Sequence, residues 1–167
     1  MRNITYKKPT LHDIAAMQLL VAPEIESGVI LPRSNDEIAT NIRSYFLAMD
    51  GDKVVGFVAL HIHSPTLAEL RSMIVDTAYR GENIGTTLVE NACEEGRRLG
   101  LKEVLALTYK QRFFERLGFV KIPKKPDMFP FFREILEDGY LVFSMERAIL
   151  PDYYPNSFPD YPGVDLQ

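Results

Sequence analysis

The sequence predicts an α/β fold built around a mixed central sheet with three or four helices. Strand-like apolar runs dominate the chain, and segments with helical spacing are interspersed among them. The run EVLAL at 103–107 is apolar almost throughout, which is typical of a buried strand. The segment after Gly85 places apolar residues on one helical face and ends at Gly100, where a helix C-cap glycine belongs.

The amino-terminal elements are predicted from capping and turn residues. A short strand at 4–8 precedes Thr10, which is expected to cap a first helix with Asp13 in a capping-box position. The stretch PEIESGVILPRS is expected to be a loop, because it contains two prolines and a glycine. Ser34 or Asn35 then caps a second helix that extends to about Ser44.

The remaining elements follow from hairpin, strand and helix signals. Two strand-like runs flank the sequence Asp-Gly-Asp at 50–52, which is a hairpin turn signal. A helix is predicted after Gly85 and a short one at RFFERLG. Further strands are predicted at LAELRSMIVD, EVLAL, FVKI and GYLVFSMERAI. We therefore expect one domain at 1–150, followed by a proline- and aromatic-rich tail at 151–167.

The composition favours a soluble globular protein of 167 residues. Its net charge of -4 and pI of about 5.4 argue against binding to nucleic acid or to an anionic membrane. A single cysteine, Cys93, forms no intrachain disulfide and fits a reducing compartment. We see no signal-peptide pattern and no apolar run of about 20 residues. We therefore expect a cytoplasmic protein, and we leave homodimer formation open.

The stretch VDTAYRGENIG has the order strand, glycine-containing turn, helix. Amide groups at a helix start and the helix dipole together favour an anion. Gly81 and Gly85 allow close backbone approach to a pyrophosphate, and Arg80 adds a charge-assisted contact. The spacing matches neither a P-loop nor a dinucleotide-binding fingerprint. Taken alone, the loop is equally compatible with an ordinary strand–helix turn.

A longer stretch, LRSMIVDTAYRGENIGTTLVENACEEGRRLGLKEVLALTY, together with FFERLGF, resembles the GCN5-related N-acetyltransferase (GNAT) superfamily. The resemblance covers about residues 1–148. It implies a mostly antiparallel sheet of six to seven strands, flanked by about four helices, with a central splay between LRSMIV and EVLAL. The family motif, Arg/Gln-x-x-Gly-x-Gly/Ala, has Asn83 in place of its middle glycine. Asparagine tolerates positive φ better than most residues, so we expect the loop to keep its shape.

The resemblance implies acetyl-CoA as co-substrate. Backbone amides at 82–85, with Arg80 and Thr86, are expected to hold the pyrophosphate, and the main chain near Ile74 and Val75 to pair with the pantetheine arm. The predicted cofactor-binding residues are Ile74, Val75, Arg80, Gly81, Glu82, Asn83, Ile84, Gly85, Thr86 and Phe114.

Acetyl transfer to an amine needs a base, because most amines are protonated at pH 7. Glu69 is the candidate base, since the family often carries a glutamate at the start of this strand; the alternative is a solvated strand-end carboxylate. The family's usual acid, a tyrosine, is replaced by Phe114. Tyr109 or Thr108 is then the candidate acid, or no side-chain acid is used; for Tyr109 a structural role is favoured.

A narrower resemblance concerns the acceptor. GVILPRSNDEI, LAELRSMIV and VLALTYKQRFFERLGF resemble the acetyltransferase domain of N-acetylglutamate synthase in its short form. The resemblance implies that Arg33 binds an acidic group of glutamate, and Arg71, two residues after Glu69, is a candidate to assist. The sequence after FVKI departs from that family. Another amino acid, a polyamine, a protein amine, or a non-catalytic acetyl-CoA-binding module therefore remain alternatives.

Histidine and cysteine are two further residue types that can carry chemistry. His61 and His63 alternate along a strand and share a face, but a metal site needs more ligands, so a structural or solvated role is favoured and no metal is predicted. Cys93 is expected to be a small core residue rather than a nucleophile.

Overall fold

The computed structural model describes residues 2–108, 110–121 and 141–144. Within these residues the strands are β1 (Ile4–Lys7), β2 (Tyr45–Asp50), β3 (Lys53–Ile62), β4 (Leu67–Val75), β5 (Glu103–Thr108), β6 (Val120–Lys121) and β7 (Leu141–Ser144). The α-helices are α1 (Ile14–Glu26), α2 (Asn35–Thr40), α3 (Ile84–Leu99) and α4 (Gln111–Arg116). The mixed α/β class and the predicted numbers of strands and helices are confirmed.

The described chain divides into two compact units. The first consists of Met1–His61 and Leu70–Glu94, and the second of Ile62–Glu69 with the described residues from Glu95 onward. In the first unit β1 pairs antiparallel with β2, and β2 pairs antiparallel with β3 through the predicted turn at Gly51, which has a φ of +58°. This confirms the predicted hairpin.

The core of the first unit forms where α1 packs on the β2–β3 hairpin. Met17 and Leu47 are fully buried and belong to one cluster with residues of both strands. The capping box before α1 is present, with the Thr10 amide donating to Asp13 Oδ2 at 2.8 Å. Burying apolar side chains on one face of a helix stabilises the helix more than its intrinsic propensity does.

Two predicted boundaries are wrong. The stretch that begins at Pro23 is not wholly a loop, because α1 continues through this proline to Glu26. Val21 and Ile25, on either side of Pro23, pack on the core, and this burial outweighs the hydrogen bond that a proline cannot donate. The second helix ends at Thr40 rather than near residue 44, and a 3₁₀ turn follows at Ile42–Ser44.

The helix α3 follows the predicted apolar pattern except at its end, where Leu99 is 55% exposed. Leu88, Val89, Ala92 and Cys93 are buried, which confirms Cys93 as a core residue. The helix ends as expected at Gly100, whose φ is +84°. In the second unit β5 and β6 each pair antiparallel with β7. The splay between β4 and β5 stays a prediction, as does the division at residue 150, which lies outside the described residues.

Gly56 on β3 packs directly against the first turns of α3. A Cβ at this position would lie 3.0 Å from the Ile74 carbonyl oxygen and 3.2 Å from Leu88 Cδ1. We expect Gly56→Ala to lower the free energy of unfolding by about 1–3 kcal/mol, because a backbone oxygen cannot move aside as a side chain can. Urea denaturation at 25 °C measures this.

The control for Gly56→Ala is Gly51→Asn, at the hairpin turn. Nothing lies within 4 Å of a Cβ at Gly51, and asparagine accepts its positive φ, so its cost should be under about 0.5 kcal/mol. Equal stabilities for the two variants would contradict the close packing of β3 on α3.

Candidate active site

The loop between β4 and α3 contains two left-handed residues. β4 ends at Val75, and Asp76 then accepts a hydrogen bond from the Ala78 amide at 2.9 Å, which caps a single 3₁₀ turn. Gly81 has a φ of +85° and Asn83 a φ of +59°. Glycine and asparagine adopt such angles more readily than other residues. The predicted tolerance of Asn83 for positive φ is confirmed.

The amino terminus of α3 has the backbone geometry of an anion site. A hydrogen bond from the Thr87 amide to the Asn83 carbonyl, at 3.0 Å, opens the helix. The amides of Ile84, Gly85 and Thr86 therefore have no acceptor within the helix itself. These N–H groups and the helix dipole favour a group such as pyrophosphate. These three amides lie in the stretch predicted to hold the pyrophosphate, and that role stays a prediction.

Two ion pairs flank this loop. Arg80 donates from Nη2 to Glu24 Oε1 of α1 at 3.3 Å, and Arg2 donates to Glu82 Oε2 at 2.8 Å. The hydrogen bond to Glu82 raises the pKa of Arg2. Because Arg2 offsets the charge of Glu82, the loop's own carboxylate repels an incoming anion less than it otherwise would.

Tyr79 anchors the loop to the β2–β3 turn. Its hydroxyl donates to Asp50 Oδ2 at 2.6 Å, and this hydrogen bond raises the pKa of Tyr79. The guanidinium carbon of Arg2 lies 3.9 Å from the centroid of the Tyr79 ring, and Arg2 also donates to the Ala78 carbonyl at 2.8 Å. Asp50 and Arg2 therefore both hold the turn that precedes the glycines.

A groove of about 400 Å³ borders the end of β4 in the first unit. It brings together three of the predicted cofactor-binding residues, Ile74, Val75 and Arg80. The groove is mostly apolar, with charged side chains among its lining residues. Its other lining residues are Ala16, Leu19, Leu20, Pro23, Glu24, Asp52, Lys53, Val54, Asp76 and Thr77.

A second, smaller pocket of about 130 Å³ contains both arginines that were predicted to bind the acceptor. Arg33 lies in the loop before α2 and Arg71 on β4. The Arg33 carbonyl accepts a hydrogen bond from Gln18 Nε2 at 2.8 Å, and the Ser34 hydroxyl caps α2, so the loop is fixed at this point. The full lining is Arg33, Glu37, Asn41, Ser44, Tyr45, Ala59, His61 and Arg71.

The charges around this small pocket change the pKa of the Tyr45 hydroxyl. Burial raises the pKa of Tyr45, and the positive charges of Arg33 and Arg71 act in the opposite direction. The negative charge of Glu37 adds to the increase. Two guanidinium groups and one carboxylate therefore act on the same hydroxyl, which gives the pocket a local excess of positive charge suited to a carboxylate ligand.

Glu69 is not a solvated carboxylate. It is 3% exposed on β4, and His63 Nε2 lies 3.1 Å from its Oε1. The side chain of His63 is itself only 10% exposed. A buried carboxylate is costly unless it is paired, and the imidazole supplies that partner in the second unit. Sequence reasoning had assigned His63 no partner, because spacing alone does not reveal a contact across the β3–β4 turn.

The candidate acids have different surroundings. The Thr108 hydroxyl accepts a hydrogen bond from the Lys110 amide at 2.8 Å. Tyr109 lies outside the described residues. Phe114 is 3% exposed and packs edge-on against Phe119, with ring centroids 4.9 Å apart, so its ring belongs to an aromatic cluster. The role of Phe114 toward a cofactor stays a prediction.

Sequence reasoning missed three residues of these sites. None of them was predicted as a binding residue, yet Glu37, Tyr45 and His61 all line the pocket that contains Arg33 and Arg71. The predicted alternation of His61 and His63 along one strand is wrong, because β3 ends at Ile62; His61 lines this pocket, whereas His63 contacts Glu69. The described residues contain no cluster of metal-ligating side chains, and among them no helix is long and apolar enough to cross a membrane.

Comparisons with known proteins show which family and fold this chain resembles. The acetyltransferase (GNAT) family model matches residues 12–119. An uncharacterized N-acetyltransferase of Chlorobaculum tepidum is 34% identical over 115 residues, which is 69% of this chain and 74% of that protein. An amino-acid acetyltransferase of Mycobacterium tuberculosis is 34% identical over 118 residues, which is 68% of this chain and 67% of that protein.

A solved structure shares the fold. N-acetylglutamate synthase from Neisseria gonorrhoeae, complexed with coenzyme A and N-acetyl-glutamate, superposes with a TM-score of 0.78 at 17% identity. The similarity covers 86% of this chain but 35% of the synthase chain, so this chain spans about a third of that protein.

Proposed function

The chain belongs to the GNAT family of acetyltransferases, and we propose that it acetylates the amine of a small acceptor, with the α-amine of glutamate as the first candidate. As a member of this family it is an N-acetyltransferase that uses acetyl-CoA as co-substrate. The observation that carries the choice of acceptor is the pocket that contains both Arg33 and Arg71. Its volume of about 130 Å³ suits a small molecule rather than a folded protein.

Arg33 and Arg71 are the proposed carboxylate ligands. A guanidinium group offers a planar fork of donors that matches a carboxylate, and two of them serve a dicarboxylate better than one. The relative of Mycobacterium tuberculosis that bears the name amino-acid acetyltransferase supports an amino-acid acceptor. A polyamine, which carries positive charge, is disfavoured by the same two arginines.

Glu69 is the proposed base. Acetyl-CoA supplies the acetyl group as a thioester, and an amine must be neutral to attack it. Glu69 takes the proton that the acceptor ammonium loses, directly or through a water. It precedes Arg71 by two residues on β4, so the proposed base and one proposed carboxylate ligand belong to the same strand. Thr108 and Tyr109 remain the candidate acids for the leaving thiolate.

The donor is proposed to bind along β4 and at the start of α3. The main chain at Ile74 and Val75 pairs with the pantetheine arm, and the amides at 82–86 hold the pyrophosphate with Arg80. The groove that contains Ile74, Val75 and Arg80, and the left-handed Gly81 and Asn83, support this assignment.

One observation favours a second acceptor class. Glu37 lines the same pocket as the two arginines, and its charge opposes theirs at Tyr45. A carboxylate in the pocket repels a second substrate carboxylate but accepts a hydrogen bond from a substrate amide. Glutamine is therefore the second candidate acceptor.

Glu37→Gln separates the two acceptors. Removing the negative charge should raise kcat/KM for glutamate relative to glutamine by about tenfold, the effect of one close charge pair on specificity. The measurement is CoA release with each amino acid at several concentrations. Asp36→Asn, a neighbouring exposed carboxylate of α2, is the control and should leave the ratio unchanged. An unchanged ratio in Glu37→Gln would remove the argument for glutamine.

The proposed function is tested by thiol release from acetyl-CoA with glutamate, glutamine, aspartate, lysine and spermidine as separate acceptors. We expect release with glutamate, and with glutamine if Glu37 acts as described. Release with spermidine or lysine alone would overturn the assignment of Arg33 and Arg71 as carboxylate ligands.

The ion pair between Arg80 and Glu24 predicts a gain in donor affinity on mutation. Glu24→Gln should tighten binding of CoA by about two- to fivefold, because the change leaves Arg80 available to the pyrophosphate. The expected gain is small, since an exposed ion pair is weak. Isothermal titration with CoA measures this. Glu26→Gln, an exposed carboxylate on the same helix, is the control. Weaker binding of CoA to Glu24→Gln would contradict the idea that Glu24 and the pyrophosphate compete for Arg80.

A further inference from the structure

His63 and Glu69 form a buried pair that the proposed chemistry does not yet explain. Glu69 Oε1 lies 3.1 Å from His63 Nε2, and the two side chains are 4% and 10% exposed. A buried carboxylate that serves as a base works best when a neighbouring group holds it in a fixed orientation. We propose that His63 is the positioning residue that orients Glu69, an inference that rests on the proposed function of Glu69.

The backbone around His63 is well suited to this task. Its amide donates to the Leu67 carbonyl at 2.9 Å, and the Ser64 hydroxyl accepts from the amides of Thr66 and Leu67 at 3.2 and 3.0 Å. The Thr66 carbonyl in turn accepts from the Lys102 amide at 2.8 Å. The turn between β3 and β4 is therefore closed by its own hydrogen bonds, and the imidazole is presented to Glu69 from a fixed position.

For His63 to donate a hydrogen bond to Glu69, its imidazole must carry a proton on Nε2. With that tautomer the imidazole donates to Glu69 Oε1 and holds the carboxylate in one orientation. The proton that Glu69 takes from the ammonium remains on the carboxyl group until it passes to solvent or to the leaving thiolate. His63 thus contributes a hydrogen bond rather than a proton.

The steady-state kinetics of His63 variants distinguish this positioning role from a merely structural one. His63→Leu removes the donor and should lower kcat by about 10- to 100-fold, the typical cost of a misplaced catalytic group, with little change in KM for acetyl-CoA or glutamate. His63→Gln should recover kcat to within about fivefold, because its amide N–H takes the place of Nε2. His12→Leu, at an exposed histidine, is the control and should leave kcat unchanged.

The outcomes distinguish this inference from the proposed function. Loss of kcat in Glu69→Gln with full activity in His63→Leu overturns the positioning role and leaves the function intact. Full activity in Glu69→Gln overturns both. If His63→Leu does not fold, His63→Asn replaces it. The shorter asparagine amide does not reach Glu69, so this variant must show the same loss of kcat. Activity in His63→Gln as low as in His63→Leu also overturns the inference.

Discussion

Glu69→Gln should lower kcat by about 100-fold or more while CoA still binds. General-base catalysis contributes about 10²- to 10⁴-fold, and glutamine cannot take a proton from the acceptor ammonium. The amide oxygen of the variant still accepts the hydrogen bond from His63, so the fold of the β3–β4 region should persist. The measurements are steady-state CoA release with glutamate and calorimetric titration with CoA.

The pH profile of Glu69→Gln carries a further expectation. As pH rises, a larger fraction of the acceptor amine is neutral without any help from the protein, so the residual activity should increase with pH and the deficit relative to the wild type should shrink. Glu90→Gln, an exposed carboxylate of α3, is the control for charge removal. Unchanged kcat in Glu69→Gln would mean that the base lies elsewhere.

Arg33→Ala should raise KM for glutamate by about 10- to 100-fold with a smaller effect on KM for acetyl-CoA. A hydrogen bond to a charged group contributes about 1.5–3 kcal/mol, and each 1.4 kcal/mol is a factor of ten in affinity. Arg33→Lys should recover only part of the loss, because an ammonium does not reproduce the guanidinium fork. Initial rates over a range of glutamate concentrations measure this.

The control for Arg33→Ala is Arg43→Ala, which removes an exposed arginine from the 3₁₀ turn after α2. It should leave both KM values unchanged. If Arg33→Ala and Arg43→Ala behave alike, the pocket that contains Arg33 and Arg71 does not bind the acceptor. A larger effect with glutamine than with glutamate would instead favour the second acceptor class.

The sequence was most informative where local rules act. Thr10 and Ser34 as caps, the turn at Gly51 and the end of α3 at Gly100 each depend on a few neighbouring residues, and the structure has all of them. The left-handed Asn83 belongs to the same class, because a residue's tolerance for positive φ is a property of that residue. The path of α1 through Pro23 was missed because distant core contacts decided it.

In the candidate site, too, some features follow from the local sequence and others depend on tertiary structure. The glycine-containing turn after β4 and the start of α3 were predictable from one contiguous motif. The grouping of Arg33 with Arg71 needed the family resemblance, since 37 intervening residues separate the two arginines. The contact between His63 and Glu69, and the presence of Glu37 and His61 beside the arginines, depend on tertiary structure and were not visible in spacing.

We propose that this acetyltransferase acts on glutamate, and competition among acceptors tests this proposal most directly. The protein is incubated with acetyl-CoA, an equimolar mixture of the twenty amino acids and spermidine, and the acetylated products are identified by mass spectrometry. We predict N-acetylglutamate as the main product, with its yield strongly reduced in Arg33→Ala. Acetylated spermidine or acetylated lysine as the main product, or no acetylated product from protein that binds CoA, would contradict the claim.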